Sequence, residues 1–407
     1  MKKKKILICD DIASTRERWK TMLEKIPSVR QEFEIETVGD RFKQTMGDLE
    51  GRRRKARNRK VKVSSWGSNL FDSAAVLMVD YDLFDFNRED YITGEGVAYL
   101  ARCYSRCGLI VAVNQFGENA FDLTLKCNPQ SFADLNVGSK QLANPGLWKE
   151  PWKGFRPSYW PNLPAAVTSF EHRVNDLKNN LNRTVLSYLG FSRQISENLP
   201  RSSREFLGSG DKPESVKFGE FVSESGNGLR RKDQALDSES TARIAASRIA
   251  KWLERMVLAG QDVLVDAPHL VSRFPSLLVG KSNTLGAWNK TVSVKGLKGL
   301  GVRYRKVEKF RFERQDWLSR PAWFWKPLTN SEDIAEVEDP WKTQLQDYVF
   351  CEDISKFLPR AAAREFVADL PSPFVRRFVV DPKSKQGRRF ASSVKGVEYV
   401  PAVRFSL

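Results

Sequence analysis

The sequence predicts an α/β protein: a parallel sheet flanked by helices over residues 1–135, followed by a mixed α+β C-terminal region. Three observations predict it. Ile6–Cys9, Ala74–Val79 and Leu109–Val113 are unbroken apolar runs, the pattern of strands covered on both faces. Between them lie segments with apolar residues three or four apart, the period of crossover helices. Beyond residue 290 aromatic and basic residues alternate, the period of strands.

The elements follow in order. Ile6–Cys9 runs into Asp10 and Asp11. Trp19, Met22, Leu23 and Ile26 mark a helix that Pro27 stops. Glu34–Val38 alternates as a second strand. Arg52–Lys62 holds eight basic residues in eleven and no regular apolar period until Val61. It reads as an exposed basic insertion within 39–66. Ala74–Val79 ends at Asp80. Gly96–Cys103 reads as a helix, Leu109–Val113 as the fourth strand, and Asp122–Cys127 as the fifth. A Pro- and Trp-rich connector spans 136–164, stiffened by its prolines, with the Trp side chains expected to dock. One helix is expected from Ala165 to Leu189. Its stripe of Val167, Phe170, Val174, Leu177, Leu181, Val185 and Leu189 suits either internal packing or a homodimer seam. Residues 196–240 read as a polar linker. A helix over Ser240–Leu258, closed by Gly260, opens the C-terminal output region of 241–407.

Composition narrows the function. The 407 residues carry 67 Lys and Arg against 50 Asp and Glu, a formal charge of +17, which favours an acidic partner such as DNA or RNA. No apolar stretch reaches membrane-spanning length. The apolar stretch after Lys2–Lys5 is too short for a signal-peptide core. Five Cys without CxxC spacing point to a reducing cytoplasm. Two His argue against a zinc enzyme.

The chemistry concentrates at strand ends. Ligands of a parallel α/β sheet bind outside the carboxyl ends of its strands, so Asp10, Asp11, Asp80 and Lys126 are expected to converge. Three carboxylates in one pocket repel one another and call for a divalent cation. Hard oxygen donors with open water positions suit Mg²⁺. With the ion and a Lys shielding a phosphoryl group, Asp80 is placed to attack phosphorus as a carboxylate nucleophile.

The stretches ILICDD (Ile6–Asp11), VLMVDYDL (Val76–Leu83), GEGVAYLARC (Gly94–Cys103), LIVAVNQFG (Leu109–Gly117) and DLTLKC (Asp122–Cys127) together resemble the receiver domain of two-component response regulators. The resemblance covers about the first third of the chain. It implies that Asp10 and Asp11 bind Mg²⁺ and that Asp80 accepts a phosphoryl group from a histidine kinase or other phosphodonor. It also implies that Lys126 contacts that group. Asp82 is the neighbouring alternative acceptor. The sequence departs from the family at Asn114, where Thr or Ser is usual, at Leu123, where an aromatic is usual, and at Cys127, which replaces Pro. Only twelve positions separate Asn114 from Lys126, too few for a full fourth helix. A scaffold that is never phosphorylated is the alternative from the binding class. A metal-dependent nuclease in a defence or stress pathway is the alternative enzyme.

Candidate phosphate contacts for nucleic acid are Arg52, Arg53, Arg54, Lys55, Arg57, Arg59 and Lys60 in the first region. Arg303, Arg305, Lys309 and Arg311 follow on a predicted strand, Val302–Phe312, which alternates aromatic and basic faces. Trp317, Trp323, Trp325 and the pairs Arg376–Arg377 and Arg388–Arg389 suit base stacking or, equally, core and solvated surface. Weaker signals take the blander reading. Pro275 stands where a P-loop needs Gly ahead of Gly280-Lys281-Ser282. His269 beside Asp266 suits a capping or surface role rather than a catalytic pair, and His172 a structural or exposed one. Cys103 and Cys107 suit packing. The acidic stretch Glu336, Glu338, Asp339, Glu352 and Asp353 matches no nuclease spacing.

Overall fold

The structure, a computed structural model, describes residues 3–57, 66–81, 83, 92–114, 131–139, 142–149, 162–208, 212–224, 236–278, 284–292, 300, 304–331, 347–352, 354–367, 376–379, 392–394 and 397–399. The first strands and helices are β1 (Lys4–Cys9), α1 (Ala13–Glu24), α2 (Pro27–Glu32), β2 (Phe33–Thr37), α3 (Phe42–Arg57), β3 (Ala74–Asp80), α4 (Gly94–Tyr104), β4 (Leu109–Asn114) and β5 (Leu135–Gly138). The helices α5 (Leu163–Leu177), α6 (Val185–Tyr188), α7 (Arg193–Glu197), α8 (Arg201–Leu207), α9 (Phe218–Glu224) and α10 (Ser238–Trp252) follow. The chain forms two compact units. The first takes Met1–Lys153, Pro161–Thr184 and Phe206–Lys251, and the second takes Gly154–Trp160, Val185–Glu205 and Trp252–Leu407.

In the first unit the five strands pair in the order β2-β1-β3-β4-β5, all parallel. Ile6–Cys9 and Val76–Val79 are wholly buried, which explains their unbroken apolar character: helices cover both sheet faces. The order reverses between β1 and β3, the switch point of a doubly wound sheet. Pro27 opens α2 instead of merely ending α1, because its missing N–H and fixed φ suit the first helical position.

Four elements differ from the sequence expectation. Residues 52–57 of the basic stretch are the end of α3, with Arg54, Lys55 and Arg57 exposed as expected and Arg52 and Ala56 buried, while 58–62 lie outside the described residues. The helix buries Phe42, Thr45, Met46, Leu49, Arg52 and Ala56, a stripe at helical spacing in which Arg52 takes a core position. The fifth strand is Leu135–Gly138, while the expected Asp122–Cys127 lies outside the described residues. The helix expected over Ala165–Leu189 divides into α5 and α6. Between them the Asn-rich segment folds into turns in which Asn180 Nδ2 donates to the Asp176 carbonyl at 2.8 Å. Val167, Phe170, Val174 and Leu177 are buried within the chain itself, so this stripe serves packing instead of a homodimer seam. The 196–240 segment, expected as a linker, contains α8 and α9.

Helix α10, which the sequence assigns to the C-terminal region, packs in the first unit. Its Ser247 hydroxyl donates to Asp134, and its buried Lys251 ammonium donates to the Ser131 and Ala133 carbonyls just ahead of β5. Arg102, buried on α4, pairs with the same Asp134 at 2.5 Å and donates to the Gly108 carbonyl at 2.9 Å. Its guanidinium lies 4.8 Å from the centre of the Phe170 ring on α5. Trp148, from the connector, is buried and stands edge-on to Phe33. Trp152 and Trp160 lie outside the described residues.

The second unit contains β6 (Leu264–Asp266), α11 (Ala267–Arg273), α12 (Leu285–Lys290), α13 (Tyr304–Val307), β7 (Ala322–Phe324) and α14 (Trp325–Thr329). It continues with β8 (Tyr348–Cys351), β9 (Lys356–Pro359), β10 (Arg364–Val367), β11 (Arg376–Val379), β12 (Ser392–Val394) and β13 (Val397–Tyr399). A four-stranded sheet runs β10-β11-β8-β9, and β6 pairs antiparallel with β7. Within the expected strand Val302–Phe312 the described residues form α13 followed by a 3₁₀ turn over Glu308–Phe310 instead. Val307, assigned by alternation to the basic face, is fully buried. Trp317, Trp323 and Trp325 are core residues, not stacking platforms.

A charged network is buried in this unit. His269 Nδ1 lies 2.6 Å from Asp266 Oδ1 and its Nε2 lies 3.5 Å from Glu352 Oε1. Arg320 pairs with Asp266 at 2.8 Å and with Glu254 at 2.5 Å. Arg377 grips Glu352 with two nitrogens. Three carboxylates thus meet two guanidinium groups and one imidazole. Burial disfavours charge on His269, but Asp266 and Glu352 outweigh it and raise its pKa. Asp266 caps α11 by accepting from the His269 backbone N–H, so the capping group is the carboxylate, while His269 itself is buried instead of capping or lying at the surface.

Candidate metal centre

The carboxyl ends of β1 and β3 stand side by side, since Cys9 pairs with Val79 in parallel register. Asp10 and Asp80 therefore emerge at one level, and Asp11 follows on the turn into α1. Each of the three carboxyl groups offers an oxygen within 4.8 Å of the others. Two ligands of one cation, each about 2.1–2.5 Å from it, stand at most roughly 4–5 Å apart. The set could therefore hold a single hard cation. Asp10 and Asp80 are buried, at 1% and 2% exposure, and Asp11 is half-exposed.

The local chain is fixed for this purpose. Asp10 Oδ1 accepts from the Ile12 N–H at 2.7 Å, and Arg16 donates to the backbone carbonyls of Asp10 and Asp11 at 2.6 and 3.1 Å. Arg16 thereby braces the turn through its carbonyls. Burial raises the Asp10 pKa to about 6, with Asp11 adding to the rise. Two unit charges 4 Å apart repel by about 4 kcal/mol at an effective dielectric of 20. A cation between the carboxylates reverses that term. Burial also pushes up the Cys9 thiol, with Asp10 and Asp80 contributing, so Cys9 acts as a small apolar core residue.

Gly94 opens α4 against this pocket. A Cβ there would lie 2.2 Å from the Asp80 carbonyl oxygen and 2.8 Å from Tyr81 Cα. The Gly94 N–H donates to the Tyr81 carbonyl at 2.8 Å, so only glycine allows the helix to start so close to Asp80. The sequence reading missed this role, although the Gly94-Glu95-Gly96 spelling after a long loop signals a close approach.

Of the predicted site residues, Asp10, Asp11 and Asp80 come together. Asn114 ends β4, opposite Gly138 and one step beyond Val113, the neighbour of Asp80. Lys126 and Asp82 lie outside the described residues. Because β5 ends at Gly138, the next Lys after the fifth strand in sequence is Lys140, also outside them. Gly280–Ser282, Glu336, Glu338, Asp339, Asp353 and Arg388–Arg389 lie outside as well. Cys103 and Cys107 are buried free thiols, and His172 is exposed on α5.

The predicted nucleic-acid contacts divide. Arg52 is 4% exposed. It makes a two-pronged pair with Asp72 at 2.9 and 2.6 Å and donates to the Tyr104 and Gly67 carbonyls at 2.8 and 2.6 Å. It is a structural cation, not a phosphate contact. Arg53 pairs with Glu50 at 3.1 Å. Arg54, Lys55 and Arg57 are exposed. Arg59, Lys60 and Arg303 lie outside the described residues. Arg305 and Lys309 are exposed, while Arg311 is half-buried and pairs with Glu308 at 2.9 Å. Arg377 is buried in the network above.

No protein-family model, curated protein or solved structure matches the chain. The receiver-like arrangement rests on the parallel five-stranded sheet, its strand order and the acid cluster at its switch point. No helix among the described residues is long and apolar enough to cross a membrane.

Proposed function

We propose that the first unit is a phosphoryl-accepting signalling switch. Asp10, Asp11 and Asp80 bind Mg²⁺, and Asp80 is the acceptor. The observation that carries this reading is the meeting of three carboxyl oxygens within 4.8 Å at the switch point of a parallel sheet. In the reaction a carboxylate oxygen of Asp80 forms a bond to phosphorus as the bond to the leaving group breaks. The leaving group is the imidazole of a histidine-kinase donor or the carboxylate of a small acyl phosphate. The product is an aspartyl acyl phosphate. When bound, Mg²⁺ neutralises the charge shared by the incoming phosphoryl oxygens and the acid cluster. The cation expected to balance the remaining oxygens is Lys126 or Lys140.

Incubation with acetyl phosphate and Mg²⁺ followed by intact-mass measurement tests the reading. The expected result is a gain of about 80 Da, the mass of one phosphoryl group, absent in Asp80→Asn and dependent on Mg²⁺. Separate Lys126→Ala and Lys140→Ala variants assign the cation by which one slows the gain. A protein that binds Mg²⁺ at this site yet gains no mass would be a cation-stabilised scaffold, and the acceptor reading would fall.

A further inference from the structure

We infer that the end of α3 is a docking surface for the phosphate backbone of a nucleic acid, set at the opposite edge of the sheet from the acid cluster. All five strands run parallel, so the first unit has distinct carboxyl and amino edges. The acid cluster is at the carboxyl edge. Arg52 marks the amino edge, because it is bound to Asp72, two residues before β3, and to the Tyr104 carbonyl at the end of α4. Helix α3 continues five residues past Arg52, an overhang of about 7.5 Å.

The overhang carries Arg54, Lys55 and Arg57, all exposed, while Ala56 is buried and anchors the last turn. Three acids near it are already matched. Asp72 is taken by Arg52, Glu50 by Arg53, and Asp237 faces Arg106 at 3.9 Å. Arg54, Lys55 and Arg57 have no acidic partner among the described residues. Lys4, in the first position of β1, and Arg30, on α2 three residues ahead of β2, are exposed as well. Lys3 Nζ donates to the Arg30 carbonyl at 2.7 Å.

The chemistry of the rim selects the partner. A basic helix that inserts into a membrane carries an apolar face beside the charges. The exposed large apolar residue among those described is Ile12, on the turn after β1 at the carboxyl edge. A closely spaced set of cations without apolar neighbours instead suits a polyphosphate chain, where released counterions supply the free energy. A six-residue strand such as β1 spans roughly 20 Å. A backbone held at the rim is therefore that far from the acid cluster, and the surface binds without cleaving.

Fluorescence anisotropy of the full chain with a labelled 20-base-pair DNA duplex and a 20-nucleotide single-stranded RNA tests this, titrated from 50 to 200 mM NaCl. Replacing three phosphate contacts in Arg54→Ala/Lys55→Ala/Arg57→Ala is expected to make the log–log salt slope shallower by about 2.7 for duplex or about 2.1 for single strand. Because these side chains are exposed, the melting temperature should stay unchanged. The single charge reversal Lys55→Glu should weaken binding in the same direction. The wild type should leave the nucleic acid uncut in Mg²⁺. The inference is overturned by an unchanged slope in the triple variant, by loss of binding in Arg305→Ala/Lys306→Ala/Lys309→Ala instead, or by binding to phosphatidylserine vesicles without nucleic-acid binding. Cleavage abolished by Asp80→Asn would likewise overturn it.

Discussion

Gly94 meets the backbone of Asp80 so closely that a methyl group on its α-carbon would stand 2.2 Å from the Asp80 carbonyl oxygen. No side-chain rotation relieves such a contact, because both partners are main chain. Gly94→Ala must therefore displace α4 or the end of β3, at an expected cost of about 1–3 kcal/mol, and must weaken cation binding. Gly47, inside α3, would meet nothing within 4 Å if it carried a methyl group, so Gly47→Ala should stabilise by about 0.5–1 kcal/mol. Thermal melts of both variants, with Mg²⁺ affinity by calorimetry, check the pair. Equal effects would contradict the close approach.

Asp10 should make the cation-free protein less stable as pH rises. Its pKa is lifted from 3.8 to about 6 by burial and by Asp11. A carboxyl group with a raised folded pKa binds more protons folded than unfolded. Stability therefore falls between about pH 4 and 6 and stays lowered above, by roughly 3 kcal/mol for a two-unit shift. Asp10→Asn removes that charge while keeping an oxygen for the Ile12 N–H. It should raise the stability of the cation-free protein at pH 7 and lower Mg²⁺ affinity at least tenfold. Urea unfolding at pH 4 and 7, with and without Mg²⁺, measures both. A destabilised Asp10→Asn at pH 7 would count against the argument.

The network around His269 carries the opposite pH dependence from the one usual for a buried imidazole. The ring faces Asp266 on its own helix cap and Glu352 beyond β8, with Arg320, Arg377 and Glu254 one contact further out and the Phe350 ring 5.4 Å away. Its folded pKa lies above 6.5. The stabilisation is then complete below the unfolded pKa and is lost as pH climbs through the raised folded value. His269→Ala should cost about 3 kcal/mol at pH 6, since it leaves a buried charge short of its partner, and less at higher pH. Histidine-selective NMR titration together with unfolding at several pH values tests it.

Arg52 and Arg54 should separate cleanly although they are two residues apart. Arg52→Ala strands Asp72 and empties a buried position, an expected loss of about 3–5 kcal/mol, with no change in the salt dependence of nucleic-acid binding in whatever fraction stays folded. Arg54→Ala should leave the melt alone and reduce the slope by about one contact. Melts and anisotropy on the same two preparations decide.

Much of the first unit was legible in the sequence because burial on both faces leaves an unmistakable run of apolar residues. β1, β3 and β4 lie where Ile6–Cys9, Ala74–Val79 and Leu109–Val113 put them, and with them Asp10, Asp11 and Asp80. β5 is an edge strand of four residues, and only Leu135 and Val137 face the core, too weak a pattern to compete with Asp122–Cys127. α3 was hidden because a core position is filled by Arg52, whose charge is matched by Asp72, fifteen residues beyond the helix end. In Val302–Phe312, two-residue alternation happened to match side chains that a short helix and a 3₁₀ turn distribute instead, with Val307 inward. The role of Lys126 was read from order along the chain, and order alone did not fix which strand was fifth.

The chain leaves the first unit after Lys153 and comes back to finish it with α5, α9 and α10. Arg102 and Asp134 obtain their neighbours Phe170 and Ser247 only from those later stretches. A fragment cut at residue 153 would uncover two ionised groups and the apolar flank of β4, and should aggregate or melt at low temperature. The sheet is thus not a detachable cassette. During synthesis it must wait for about a hundred further residues before its last wall is in place, which leaves nascent chains open to chaperones and proteases for longer than the strand order alone would suggest.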